Sequence, residues 1–293
     1  MKINRHLISD VSSLIKCKMS VMLALSSLFG FVLHLQKFSF HFIFLFIGIL
    51  LLCFGCAVLN NFQDRNRDKL FIRTKYRPLV QGRISRQIAL VIGISFICSG
   101  LILLHFIDQL YNQGWHQLFL GILAVFLYNG LYTQFKNYPL TAIIIGAICG
   151  TLPVYMGWIF AGGGSSDLSI WMVCFSWMLW QIPHSWLIIL NETSEVQCLR
   201  NMNILRIFNQ YQLVRIIWLW VFSFFIVISY IALISMKFNM VIFAAFFLIT
   251  GGIFIVFSAY LFLSTDKMKY KFLFHQINAY ILFLILFASI NHF

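Results

Sequence analysis

Residues 60–86 read NNFQDRNRDKLFIRTKYRPLVQGRISR, and this stretch carries eight of the chain's 21 basic residues and two of its eight acidic residues. The sequence around it is almost entirely apolar. The chain of 293 residues is 61% hydrophobic and only 10% charged, whereas soluble domains contain about 25% charged residues. Its mean hydropathy is +0.89. This composition predicts a polytopic membrane protein with charge concentrated at the end of one apolar segment.

Nine apolar segments are long enough to cross a bilayer, which takes about 20 residues in a helix. They are too long and too uniformly apolar for barrel strands, and a lipid-exposed backbone must satisfy its own hydrogen bonds. We therefore predict an all-α protein with nine transmembrane helices in a single domain, residues 1–293. The predicted spans are 17–36, 40–62, 87–106, 117–134, 140–160, 168–190, 212–235, 239–264 and 274–290.

The basic residues orient these spans. Nineteen of the 21 fall on one side of the predicted membrane, and only Lys37 and Lys237 fall on the other. Because cytoplasmic loops carry an excess of Lys and Arg, we predict a cytoplasmic N-terminus and a C-terminus on the opposite side of an inner or plasma membrane. A basic cytoplasmic face also suits the anionic headgroups of a lipid bilayer. The sequence contains no nucleic-acid motif, so no nucleic-acid partner is predicted.

Three polar residues follow the second span at intervals of four, namely Asn60, Asp64 and Asp68. On a helix this spacing places them within about 80° of one face. Carboxylate and amide oxygens are ligands that suit Mg²⁺, which often completes its shell with waters and substrate phosphates. The spacing therefore predicts half of a magnesium site that also binds a diphosphate.

The basic residues Arg73, Lys75 and Arg77 come next, and Pro78 prevents a helix there. Arg offers phosphate a planar fork and Lys offers a point charge. Metal and cations together would stabilise the diphosphate of an allylic substrate as a leaving group. The alternative is a solvated loop whose charges only set the topology.

A second polar cluster lies in residues 180–195, WQIPHSWLIILNETSE. Gln181 and His184 fall inside an apolar span, where polar groups are costly and usually line a cavity or a functional path. His184 either contacts the second substrate or is a structural histidine bonded to a neighbouring helix. Glu192 and Glu195 either complete the metal and diphosphate site or are ordinary loop acids.

Tyr128 and Tyr132 are one turn apart near the cytoplasmic end of the fourth span. Their rings could face a cavity and stabilise an allylic cation, or anchor the helix at the membrane interface. The glycines of segment 144–158 allow either close helix packing, which we favour, or the close approach of a flat ligand.

These segments resemble a known family. N-x-x-x-D-x-x-x-D at residues 60–68, followed by RTKYRPLVQGRIS, resembles the UbiA superfamily of intramembrane prenyltransferases. YTQFKNYP at 132–139, GAICGTLPVYMGW at 146–158 and WQIPHSW at 180–186 are similar to its protohaem IX farnesyltransferase branch. Together these segments cover most of the middle of the chain in the family's order.

The resemblance implies nine helices bundled around a central cavity, with Mg²⁺ as cofactor, farnesyl diphosphate as donor and haem B as acceptor. It implies that a haem vinyl group attacks the farnesyl cation as diphosphate leaves, and that water completes the product. A haem-oxidising or oxidase-assembly partner cannot be read from the sequence. The implied roles are metal and diphosphate binding for Asn60, Asp64 and Asp68, diphosphate binding for Arg73, Lys75 and Arg77, and a place on the haem side for His184.

The loop after the sixth span, NETSEVQCLRNMNILR at 191–206, departs from the family's pattern. Glu195 stands in place of an Asp, Val196 stands in place of a Tyr, and the family's prolines are missing. We therefore expect the second half-site to bind differently.

Two alternatives remain open from the sequence. One is a UbiA-type enzyme that prenylates another aromatic ring, such as a quinone precursor. The other is an ion-binding membrane transporter without catalytic activity. A transporter is expected to carry acids within its spans, but the six cytoplasmic-side acids all lie at or beyond helix ends: Asp10, Asp64, Asp68, Glu192, Glu195 and Asp266.

Overall fold

The computed structural model describes residues 5–35, 40–72, 74–191, 204–235, 240–264 and 269–291. Within these ranges every regular element is a helix and none is a strand. The predicted all-α class is therefore confirmed. The α-helices are α1 (Arg5–Leu14), α2 (Cys17–Leu35), α3 (Phe42–Gln63), α4 (Arg65–Asp68), α5 (Arg86–Leu110), α6 (His116–Val125), α7 (Pro139–Phe160), α8 (Leu168–Asn191), α9 (Gln210–Ser235), α10 (Met240–Leu263) and α11 (Lys269–Asn291).

Eight helical stretches in the described chain are long and apolar enough to cross a membrane. They match the first eight predicted spans to within a few residues, which makes this a multi-pass membrane protein. The ninth predicted span, 274–290, falls within α11, whose side chains are described only as far as Leu282. It is not among the eight.

The fourth span differs from the uniform α-helix that its sequence predicts. α6 ends at Val125, a π-helix covers Phe126–Tyr132, and a 3₁₀-helix covers Gln134–Asn137. A π-helical turn contains an extra residue and is frequently found at functional sites. The change of winding turns the polar side chains of this segment toward α3, as described below.

Contacts divide the chain into two compact units, residues 1–136 with 152–163 and residues 137–151 with 164–293. α7 contributes its first half to the second unit and its second half to the first. In the first unit α3 packs against α2 and α5 around an apolar core. That core includes Phe31, Leu45, Leu52 and Leu104, each at most 4% exposed.

The second unit is held together by α8, which packs against α9 and α11. Its core includes Leu187 from α8, Ile217 from α9, Leu261 from α10 and Leu273 from α11, all 1% exposed or less. Pro183 lies inside α8, and the helix continues past it. These neighbours fix the polar residues of α8 within the unit.

Two side chains define where helices of the first unit begin. The Ser85 hydroxyl accepts a hydrogen bond from the backbone amide of Ile88 at 3.3 Å and caps α5. The buried carboxylate of Asp108 accepts from the amides of Gln117 and Leu118 at 3.0 and 2.9 Å. Asp108 thus satisfies two free amides in the first turn of α6, where a negative charge is favourable.

Candidate functional site

Asn60, Asp64 and Asp68 lie along a nearly continuous helical path at the end of α3. Asp64 forms a turn between α3 and α4. Its amide donates to the Asn60 carbonyl at 2.9 Å, and the Asp68 amide donates to the Asp64 carbonyl at 2.8 Å. Helical hydrogen bonding therefore continues across the break and keeps the three residues on one face. All are buried, with exposed fractions of 1%, 9% and 6% respectively.

Asn60 joins side chains from three parts of the first unit. Its Oδ1 accepts a hydrogen bond from Lys16 Nζ at 2.6 Å. Its Nδ2 lies 3.0 Å from both Asp64 Oδ2 and Thr133 Oγ1 and donates to them. Because every polar atom of this buried amide has a partner, the orientation of Asn60 is fixed.

Each of the two carboxylates is paired with a cation. Lys136 Nζ forms an ion pair with Asp64 Oδ2. Arg77 Nη1 lies 2.6 Å from Asp68 Oδ2 and 2.9 Å from Asn61 Oδ1. Arg77 and Lys136 thus balance the two carboxylates, and Lys16 adds a third basic group beside Asn60. We name this set the acid–base cluster: Lys16, Asn60, Asp64, Asp68, Arg77 and Lys136.

Lys16 reaches the cluster from the turn between α1 and α2. Its backbone is left-handed, with φ = 48°, a conformation that costs a non-glycine residue about 1–2 kcal/mol. Leu14 holds the turn, because its side chain is buried and its carbonyl accepts from Asn61 Nδ2 at 2.7 Å. Burial, followed by the charges of Arg77 and Lys136, lowers the pKa of Lys16 to about 7. Strained residues of this kind concentrate at functional sites.

The π-helix positions the two tyrosines beside the cluster. Asn129 joins the π-helix to α3. Its Nδ2 donates to the Cys56 carbonyl, and its backbone carbonyl accepts from Gln63 Nε2, both at 3.1 Å. The rings of Tyr128 and Tyr132 stack with centroids 5.3 Å apart. Lys136 Nζ lies 5.1 Å from the centre of the Tyr132 ring. An aromatic face therefore adjoins the cation that pairs with Asp64.

Only some of the predicted diphosphate-binding residues in the basic loop after α4 lie in the cluster. Arg77 joins it, whereas Lys75 Nζ lies 4.9 Å from the ring centre of the exposed Tyr76. Within the described chain Lys75 makes no ion pair with either carboxylate of the cluster. Arg73 lies outside the described residues.

A bidentate ion pair ties α1 to this loop. Arg83 donates to both carboxylate oxygens of Asp10, at 2.8 and 2.9 Å. The hydrogen bond to Asp10 raises the pKa of Arg83. The pair is exposed and adds little stability, but it links α1 to the loop.

The second predicted polar cluster lies in the second unit. His184 Nδ1 lies 2.8 Å from Asn278 Oδ1 on α11, and the imidazole contacts the rings of Trp180 and Phe274. Gln181 packs against Gly150, where a Cβ atom would lie 2.0 Å from Gln181 Oε1. Glycine at position 150 thus makes room for the glutamine. Glu192 and Glu195 lie outside the described residues.

Lys16 and Lys136 belong to the cluster, although their positions in the sequence predicted only the orientation of the chain. Lys136 had a local signal, because it follows Tyr132 by four residues in the polar segment YTQFKNYP. Lys16 had no such signal, since it lies 44 residues before Asn60, in the turn between α1 and α2.

The sequence matches the UbiA prenyltransferase family over residues 22–286. The chain belongs to this family. Among curated UbiA relatives, the protoheme IX farnesyltransferase of Oleidesulfovibrio alaskensis is 34% identical over 176 residues, which cover 60% of this chain and 61% of that one. The enzyme of the same name from Nitratidesulfovibrio vulgaris is 32% identical over 183 residues, or 62% of each chain. The matched region therefore spans about three fifths of the length of these relatives.

Two solved structures share the fold of this chain. A digeranylgeranylglyceryl phosphate synthase superposes with a TM-score of 0.74 at 13% identity, covering 97% of this chain and 98% of the other. A UbiA homolog from Archaeoglobus fulgidus, solved with GPP and Mg²⁺ bound, superposes with a TM-score of 0.68 at 15% identity, covering 94% and 99%. At such low identity the likeness establishes the UbiA fold alone.

Proposed function

We propose that this protein transfers a farnesyl group from farnesyl diphosphate to protohaem IX in a Mg²⁺-dependent reaction. The observation that carries the proposal is the acid–base cluster, in which buried oxygens and three basic side chains meet at the end of an apolar helix. The names of the relatives support haem B as the acceptor. The ligands of the A. fulgidus homolog support a prenyl diphosphate and Mg²⁺.

The donor atoms of the cluster fit a divalent cation. Asn60 Oδ1, Asp64 Oδ2 and Asp68 Oδ2 each already contact a positively charged group of the chain. Within the described residues no three Asp, Glu, His or Cys side chains gather as a metal site. The protein ligands would be two carboxylates and one amide oxygen, which leaves positions for diphosphate and water. Bound there, Mg²⁺ would neutralise the diphosphate as it leaves.

The cationic side chains of the cluster bind the diphosphate in this proposal. Arg77 presents its guanidinium to the phosphate oxygens, and Lys16 and Lys136 each contribute an ammonium group. Their positive charge stabilises the negative charge that develops as the bond between C1 of farnesyl and oxygen breaks. Arg73 and Lys75 remain predicted contacts that the substrate could recruit from the same loop.

The aromatic and apolar side chains protect the reactive carbon. Tyr128 and Tyr132 would hold their π faces near the allylic cation. The cation then bonds to a haem vinyl carbon, and water adds to the resulting cation and releases a proton. His184 and Gln181 would contact the haem acceptor, and Glu192 and Glu195 would add acidic groups from the loop after α8.

The protein would act in the inner or plasma membrane with its N-terminus in the cytoplasm. The charge asymmetry of the sequence supports this orientation, because the basic residues of the cluster fall on the predicted cytoplasmic side. Water-soluble diphosphate would then leave toward the cytosol. Residues 1–293 would act as a single prenyltransferase domain, and a haem-oxidising enzyme is a chemically suitable recipient of the product.

The direct test uses the purified protein with Mg²⁺, farnesyl diphosphate and haem B. Mass spectrometry is expected to detect haem O, identified by the added hydroxyethylfarnesyl group. If haem stayed unmodified while an added quinone precursor was prenylated, the proposed acceptor would be wrong. The protein would then be a prenyltransferase that acts on that aromatic compound. Altered ion flux in proteoliposomes without any prenyl transfer would instead support a transporter.

The Asp64→Asn variant tests the role of the cluster. Removing this charge is expected to lower kcat by at least about 100-fold, the scale seen when one electrostatic contact to a transition state is lost. Asp10→Asn is the matched control, since Asp10 is also a cytoplasmic-side carboxylate in an ion pair but lies outside the cluster. Equal rates for the Asp64→Asn variant and the unmodified protein would show that the cluster takes no part in the reaction.

A further inference from the structure

The hydrogen bond between His184 and Asn278 restricts the protonation of the imidazole. The two residues lie on α8 and α11 of the second unit, with 2.8 Å between His184 Nδ1 and Asn278 Oδ1. An amide oxygen only accepts hydrogen bonds, so Nδ1 must carry the hydrogen. In a neutral imidazole the lone pair then lies on Nε2.

The same stretch of α8 contains further polar atoms that have no hydrogen-bond partner among the described residues. His184 Nε2 makes no hydrogen bond to any residue in the described part of the chain. Trp180 Nε1 and Gln181 Nε2 are buried and likewise have no partner among the described residues. A buried donor without a partner costs about 1–3 kcal/mol. Among the described residues, this five-residue stretch therefore leaves one acceptor and two donors available to a ligand.

The surroundings of His184 hold its ring in place. Trp180 lies 5.0 Å from it and Phe274 lies 4.6 Å from it, measured between ring centroids. These aromatic neighbours form apolar walls and leave Asn278 as the hydrogen-bonding partner of the ring within the described chain. Among the described residues, Asn278 therefore contacts His184 through a single side-chain hydrogen bond.

We infer that Asn278 is a positioning residue, which fixes His184 in the Nδ1–H tautomer and thereby presents the Nε2 lone pair to the acceptor substrate. The identity of that acceptor as protohaem rests on the proposed function. Protohaem offers an iron that neutral imidazole nitrogen commonly binds. Histidines that bind metals usually donate their other N–H to an oxygen, as His184 does to Asn278.

The tautomer is tested by nitrogen NMR of histidine-labelled protein in detergent. The His184 signal is identified by its loss in His184→Gln. Nδ1–H is expected in the unmodified protein and in Asn278→Asp, which keeps an accepting oxygen, whereas Asn278→Leu is expected to lose this preference. Gln276→Leu is the control, because Gln276 lies on the same helix but donates to the Ile253 carbonyl. A hydrogen on Nε2 in the unmodified protein would overturn the inference.

Acceptor binding is tested by titrating protohaem and following its absorbance. Asn278→Leu is expected to weaken binding about 10- to 100-fold, the usual cost of losing such a partner, and to abolish the histidine-dependent band shift. Asn278→Asp is expected to retain both, and the KM for farnesyl diphosphate should stay unchanged in each variant. If both variants lost the same affinity for protohaem, Asn278 would be a structural contact and not a positioning residue.

The two assays separate this inference from the proposed function. The tautomer measurement needs no substrate, so its result does not depend on which aromatic ring the protein prenylates. If the purified protein modified another aromatic compound instead of haem, only the named acceptor would change. If the NMR preference were absent while haem O formed, the positioning role would be wrong and the proposed function would stand.

Discussion

The ion pair between Asp64 and Lys136 joins side chains that are 72 residues apart in the sequence. Both are mostly buried, with side-chain exposures of 11% and 17%. Lys136→Met would leave the Asp64 carboxylate without its ammonium group, and we expect a loss of about 1–3 kcal/mol of stability. Adding Asp64→Asn to this variant should recover part of the loss, because the uncompensated charge is removed.

This double-mutant cycle is measured by thermal unfolding of the purified protein in detergent without Mg²⁺. A positive coupling energy supports the pair, since residues in direct contact do not behave additively. Strictly additive effects of the two substitutions would contradict it.

The site could be predicted from the sequence only as far as local spacing extends. Asn60, Asp64 and Asp68 lie at helical intervals, so their common face follows from the period of the helix. The contact between Lys16 and Asn60 depends on a left-handed turn and on helix packing, and no short pattern encodes either. The individual roles proposed for the site residues remain predictions.

At the scale of helices, α2 and the second half of α7 cross almost in contact. A Cβ atom at Gly157 would lie 1.9 Å from the Ser27 carbonyl oxygen, and one at Gly30 would lie 1.8 Å from that of Val154. Gly157→Ala must therefore separate the two backbones. We expect a net loss of about 1–3 kcal/mol, since overpacking outweighs the gain of under about 1 kcal/mol in helix propensity.

The measurement is the melting temperature in detergent, compared with Gly252→Ala. A Cβ atom at Gly252 meets nothing within 4 Å, so this matched control should be neutral or slightly stabilising. An unchanged melting temperature for Gly157→Ala would show that the crossing tolerates a methyl group.

Helix positions were largely readable because membrane spans are long, apolar and separated by polar residues. For α5, α7 and α8, the ends predicted from hydropathy lie within about four residues of the observed helix ends, which is the usual error of such boundaries. The π-helix at Phe126–Tyr132 and the break at Asp64 were not readable. Both changes of winding accompany hydrogen bonds to distant segments, which hydropathy does not contain.

At the scale of the whole molecule, the unequal distribution of Lys and Arg predicts its orientation. We expect Gln81→Cys to face the cytoplasm and Gln109→Cys to face the opposite side; both positions are exposed. In intact cells, in a background with the native cysteines replaced, a membrane-impermeant maleimide should label only Gln109→Cys. Permeabilised cells should label both.

The reverse pattern in intact cells would mean that the positive-inside rule fails for this chain. It would also place the acid–base cluster on the outer side, away from cytosolic Mg²⁺. Labelling therefore checks the direction from which the proposed cofactor arrives.

The cluster has one more consequence, for how the protein is made. Proteins organised around a metal often unfold when a chelator removes it. Here lysine and arginine side chains already act as counter-ions to both buried aspartates, so the carboxylates need no added ion to remain in an apolar setting. A newly inserted chain can thus reach its folded form, and withstand chelation, before it encounters magnesium or an isoprenoid.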